Sequence, residues 1–166
     1  MAVLHIFDFD DTLVRSEAVI YLVRSDGTRE ALTSDEYAQY HPQGDEEFDF
    51  SEFDVYPINP RIIADVFGEL KSAVSQDGLD SVVILTARAE EAPVRQFMAD
   101  NGVPGIEVHA TGTSNPMAKA LFVLNKVGDG EFGAVRLFED NPENIRAIGR
   151  VLAPLDVELE PHLIPH

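Results

Sequence analysis

Apolar residues gather into four short runs along the chain, with amphipathic stretches between them. Val3-Leu4-His5-Ile6-Phe7 and Val82-Val83-Ile84-Leu85 are almost wholly apolar, as strands buried on both faces of a parallel sheet are. Ile106 to His109 and Val135 to Phe138 are weaker runs of the same kind. Four helices are predicted. One opens at Asn59-Pro60 and carries Ile62, Ile63, Val66, Phe67, Leu70 and Val74 at helical spacing, with Gly78 beyond its end. Pro93 to Asn101 is a shorter helix. Asn115-Pro116 opens a third through Val127, and Asn141-Pro142 a fourth through Ile148. Strands alternating with helices predict an α/β fold, three-layered and Rossmann-like, around a mainly parallel sheet.

Residues 15–56 break this rhythm. Ala18 to Leu32 reads as a hairpin turning at Ser25-Asp26-Gly27. Asp45 to Asp54 is acidic and holds Phe48, Phe50 and Phe53, which predicts a loop pinned over the sheet by its aromatics; its acids fit no EF-hand spacing. The expected organisation is one domain over residues 1–166, with 15–56 as a small insertion.

Composition narrows the chemistry. The 166 residues suit a single domain, and 45% hydrophobic content supports a packed core. The absence of Cys removes disulfides, thiolate metal sites and Cys nucleophiles. Thirty acidic residues against 12 basic ones give a net charge of -18, unsuited to extended duplex nucleic acid or anionic membranes. A small phosphorylated substrate stays compatible, because a divalent cation inverts the local field. Met1 to Phe7 is too short for a signal peptide, and no run reaches the ~18 apolar residues of a membrane span, so a soluble, cytoplasmic protein is expected.

Open α/β sheets bind ligands beyond the carboxyl ends of their strands. The first run leads into Asp8-Phe9-Asp10-Asp11-Thr12, the second into Thr86-Ala87-Arg88, the fourth into Glu139-Asp140-Asn141. Asp8 and Asp10 stand two apart and repel each other unless a cation intervenes. With Asp140 they make an oxygen-rich set that suits Mg²⁺. Phosphoryl transfer needs an in-line nucleophile, a proton for the leaving oxygen and donors for the other oxygens. Asp8 fits the first role, Asp10 that of general acid and base, and Thr86 the third, with a lysine completing the cradle. Lys119, early in the third helix, and Lys126, two turns later, both qualify. The five histidines show no ligand spacing, and His162 and His166 lie in the tail.

This arrangement resembles the haloacid dehalogenase superfamily of phosphatases. The family's Asp-x-Asp-x-Thr after an apolar strand is matched by Asp8, Asp10 and Thr12, and its strand-terminal Thr by Thr86. Its helix-opening Lys corresponds to Lys119, and its later acids to Glu139 and Asp140, with Asn144 in place of the last acid. The resemblance spans about Ala2 to Arg150. It implies a five-stranded core, an aspartyl-phosphate on Asp8, and Mg²⁺ held by Asp8, the main-chain carbonyl of Asp10, and Asp140. It places Thr12, Thr86, Ala87 and Lys119 around the phosphate and Glu139 and Asn144 beside the metal; Arg88 is either a substrate contact or, the preferred reading, a surface residue. It also makes the 15–56 insertion a small cap. The expected reaction is phosphomonoester hydrolysis of a small phosphorylated substrate. The alternatives are dephosphorylation of nucleotides or nucleic-acid 3′ ends, for which Leu85 to Arg88 and Phe138 to Asn141 resemble repair-type and phage-type domains, and phosphate binding without turnover.

Overall fold

The computed structural model describes residues 2–166. Five parallel strands form the central sheet: β1 (Ala2–Phe7), β7 (Val82–Thr86), β8 (Glu107–Ala110), β9 (Phe132–Glu139) and β10 (Glu158–Leu163). Their order is β10-β9-β1-β7-β8. Helices α2 (Ala64–Asp77), α3 (Ala92–Asp100), α4 (Pro116–Val127) and α5 (Pro142–Leu152) connect them. The result is an α/β fold compatible with a Rossmann-like sheet.

Strand alternation decides which helix covers which face. Val82 and Ile84 point to one side with Phe7 and pack against Val66, Phe67 and Leu70 of α2 and Val94, Phe97 and Met98 of α3. Leu4, Ile6, Val83 and Leu85 point to the other, against Ala120 and Val123 of α4 and Ala147 and Ile148 of α5. A strand with both faces covered is apolar nearly throughout, hence the runs in β1 and β7, broken only by His5, whose ring pairs with Asp77, and by Thr86 at the end of β7. Each such Leu, Ile, Val or Phe contributes about 1.5–3 kcal/mol by leaving water.

The chain starts in the middle of the sheet, adds β7 and β8 on one side of β1, then crosses to add β9 and β10 on the other. Strand order reverses at β1, and a crevice opens there at the carboxyl ends. Asp8 follows β1, its N–H donating to the Phe138 carbonyl of β9 at 2.9 Å, so both chain segments reach this crevice together.

The segment after β1 departs from the central pattern. The two-residue strands β2 (Val14–Arg15) and β6 (Arg61–Ile62) pair antiparallel as a stem. Above it, β3 (Ile20–Val23) lies between β4 (Arg29–Leu32) and β5 (Glu47–Asp49), both antiparallel to it. The expected hairpin is therefore present. The acidic stretch, expected as a loop, instead supplies a third strand and a 3₁₀ turn at Ser51–Phe53, because Phe48 pairs across from Leu22. Helix α1 (Ser34–Gln39) covers one end, opened by a reciprocal capping box between Thr33 and Glu36. The stem sets the ends of this insertion at Val14 and Ile62, slightly outside the expected 15–56.

Two further expectations are corrected. Asn59-Pro60 does not open α2: Asn59 has φ +45°, residues 61–62 form β6, and the helix starts at Ala64. Ile62 is accordingly exposed rather than core. The C-terminal stretch adds β10, for which no strand was predicted. Among the described residues no helix is long and apolar enough to cross a membrane.

Candidate active site

The loop after β1 wraps tightly. The N–H groups of Leu13 and Val14 return to the Phe9 carbonyl, and Asp11 takes φ +63°. This turn folds Thr12 back beneath Asp8. Its hydroxyl lies 3.1 Å from Asp8 Oδ2 and 3.4 Å from Asp140 Oδ1, linking the ends of β1 and β9.

Lys119 occupies the centre. It projects from the first turns of α4, whose start is fixed by the Asn115 side chain accepting from the Met117 N–H at 3.0 Å. The Lys119 ammonium donates to Asp8 Oδ1 at 3.0 Å and to Glu139 Oε1 at 2.8 Å. Lys126 instead pairs with Glu107 on the surface, so the structure places Lys119, and not its rival, in the crevice. Glu139 is fully engaged: Oε1 also accepts from Asn144 Nδ2 at 2.7 Å, and Oε2 from the Asp140 and Asn141 N–H groups at 2.8 and 3.1 Å. Asn144 therefore acts through Glu139, which fixes the lysine.

The electrostatics follow from one cation among several buried acids. Burial and the neighbouring Glu139 push the Asp8 carboxyl well above its usual range, against the pull of Lys119. Burial likewise pushes Asp140 up to about 7. Burial also pushes Glu139 upward, but Lys119 and its hydrogen bonds more than offset this and hold it below the ordinary carboxylate range. Burial would lower Lys119; Asp8 and Glu139 instead hold it above the ordinary amine value.

Asp8, Glu139 and Asp140 each bring a carboxylate oxygen within 4.8 Å of the others. All three carboxylates take part in hydrogen bonds, Asp8 with Lys119 and Thr12 and Asp140 with Thr12 and His166. Glu139 is held below the ordinary range while Asp8 and Asp140 are raised, so these two are the less neutralised pair that would hold a cation. Burial, with Glu139 adding to it, raises the affinity of both for protons, and hard oxygen donors of this kind fit Mg²⁺.

Asp10 is placed differently from the expectation that its side chain joins Asp8 and Asp140. Its carboxylate turns to Arg88, accepting from Nε at 2.8 Å and from Nη2 at 2.9 Å. Arg88 corrects the surface reading directly, being only 4% exposed. Its Nη1 donates to the Phe53 and Val55 carbonyls at 2.8 and 2.9 Å, so it ties the end of the insertion to Asp10. An arginine with every face engaged cannot be told from a surface one by residue type alone. Thr86 Oγ1 accepts the Arg88 N–H at 3.2 Å, leaving its own proton for another acceptor.

All the predicted site residues except Thr12 and Arg88 line one open cavity of about 740 Å³. Thr12, expected around the phosphate, is fully buried under the carboxylates. Asp11 and His166 also line this cavity. His166 Nε2 sits 2.8 Å from Asp140 Oδ2, and its Nδ1 contacts Asp35. His166 does lie in the tail, as expected, but the return of the chain through β10 brings it to the site, which no local spacing signals. Comparisons with protein-family models, with curated proteins and with solved structures return no match.

Proposed function

We propose that the protein is a Mg²⁺-dependent phosphomonoester hydrolase of haloacid dehalogenase type, with the 14–62 insertion as its small cap. The observation that carries this reading is the pairing of Asp8 with buried Lys119 at 3.0 Å, beside Asp140, at the strand-order reversal. A lysine that neutralises one of several buried acids serves little structural purpose, since an apolar set of similar volume packs as well or better. It serves a phosphate well.

Asp8, Asp140 and the main-chain carbonyl of Asp10 would hold the ion. Bound there, Mg²⁺ would keep the two carboxylates ionised and offset repulsion between them and the anionic ester. The chain's own residues do the rest. Lys119 and the Thr86 hydroxyl hold non-bridging phosphate oxygens, with Ala87 lining the same wall. An Asp8 oxygen attacks phosphorus, the ester P–O bond breaks, and a proton on Asp10 passes to the departing alkoxide. Water then attacks the aspartyl-phosphate, Asp10 accepts its proton, and phosphate leaves with both carboxyl groups restored. Both Asp10 oxygens accept from the Arg88 fork, which favours the ionised carboxylate, so each transfer requires Asp10 to turn away from Arg88.

The expected outcome is phosphate release from p-nitrophenyl phosphate that requires Mg²⁺, with Asp8→Asn reducing kcat by about 10³-fold or more. Folded wild-type protein that turns over no phosphoester with Mg²⁺ would overturn the assignment.

A further inference from the structure

A second cavity of about 740 Å³ opens between the insertion and the loops after β7 and β8. It is continuous with the first: Asp10, Tyr37, Phe48 and Ala87 line both. Asp10 stands at the junction. In the proposed reaction the group that takes a proton from Asp10 is the alcohol, so the second cavity is where the alcohol lies.

Three features describe that alcohol. The first is an aromatic wall. Phe48 and Phe50 are held edge-to-face by Tyr37, at ring separations of 5.1 and 5.4 Å, and both line the cavity. Ile20, Leu22 and Leu32 are buried in the small sheet, whereas Phe48, paired across from Leu22, is only partly covered. Phe50 is left 41% exposed. Preset, partly open rings at the mouth of a concave site favour a flat aromatic guest. The second feature is charge. Arg88 is the only cation among the described residues lining this cavity, and its Nε, Nη1 and one Nη2 N–H are committed to Asp10, Phe53 and Val55. Asp49 and Asp54 line it as well, in a chain of net charge -18. A second phosphate would meet repulsion and no partner. The third is volume, which falls in the range of small-ligand sites and suits a group of nucleoside size.

We infer that, within the phosphohydrolase reading on which this rests, the substrate is the monophosphate of a neutral alcohol bearing a planar aromatic group, its ring lying against Phe48 and Phe50. A nucleoside monophosphate has this chemistry; a sugar phosphate lacks the ring, and a nucleoside bisphosphate or phosphorylated oligonucleotide adds charge the cavity cannot take.

The test compares kcat/KM with Mg²⁺ for adenosine 5′-monophosphate, glycerol 3-phosphate, adenosine 3′,5′-bisphosphate and a 3′-phosphorylated oligonucleotide. The expected result is that the nucleoside monophosphate exceeds each of the others by about tenfold or more. Phe48→Ala and Phe50→Ala should each cut it about tenfold, with a several-fold smaller loss on glycerol 3-phosphate. Phe48→Leu, which keeps the sheet's apolar face filled, should show the same selective loss. Equal turnover of glycerol 3-phosphate, a preference for the bisphosphate or oligonucleotide, or equal losses on all esters would overturn the inference while leaving the hydrolase reading intact. Should no ester turn over, the hydrolase reading fails alone, and equilibrium dialysis with adenosine decides the cavity. Saturable binding weakened by Phe50→Ala supports it, and no binding overturns it.

Discussion

Lys119 carries the most weight of any single residue. It sits between Asp8 and Glu139, both buried. Removing one partner of a buried ionic cluster leaves uncompensated charge and costs roughly 3–5 kcal/mol. Lys119→Met should therefore abolish turnover and lower stability by about that amount, the second effect read from urea denaturation. At low pH the loss should shrink, because Asp8 readily takes a proton. Sequence left the choice between Lys119 and Lys126 open, and the structure separates them by pairing Lys126 with Glu107. Arg88 was not readable. Sequence showed it following Thr86, but its environment comes from carbonyls of residues 53 and 55, far away along the chain. His166 is a similar case, reaching Asp140 only through tertiary structure.

At the level of elements, legibility followed how locally each was determined. β1 and β7 declare themselves because burial on both faces forces apolar side chains at nearly every position. α4 and α5 declare their starts through Asn side chains that accept from N–H groups two residues on. Asn59-Pro60 carries the same signal, yet there a tertiary pairing won: the Ile63 N–H donates to the Leu13 carbonyl at 2.9 Å, holding residues 61–62 in the stem. β10 escaped notice because Glu158, Glu160 and Pro161 look unlike a strand, and only an edge tolerates a proline without an N–H to share. The small three-stranded sheet rests on few buried residues, Leu22 foremost. Leu22→Ala should cost roughly 2–5 kcal/mol. Hydrogen exchange should show that loss first in residues 20–32, with protection in β1 and β7 retained longer.

At the scale of the whole molecule, the crevice concentrates negative charge in a chain already at -18. Asp140, pushed up to about 7, and the raised Asp8 hold protons in the folded state that the unfolded chain has released. Where the native state binds more protons, stability falls as pH rises. The metal-free protein should lose Tm between about pH 4 and pH 7. Asp140→Asn should flatten that slope. Millimolar Mg²⁺ should raise Tm at pH 8, where the carboxylates are ionised, and do little at pH 4.5, with scanning calorimetry as the readout.

In the proposed reaction Asp8 carries the phosphoryl group between substrate and water. Acid-quenched single turnover with a ³²P-labelled ester and Mg²⁺, followed by peptide mapping, tests it directly. The predicted result is hydroxylamine-labile phosphate on the peptide containing Asp8, absent without Mg²⁺ and absent in Asp8→Asn. Phosphate released at the wild-type rate with no labelled protein, or label on any other residue, would contradict it.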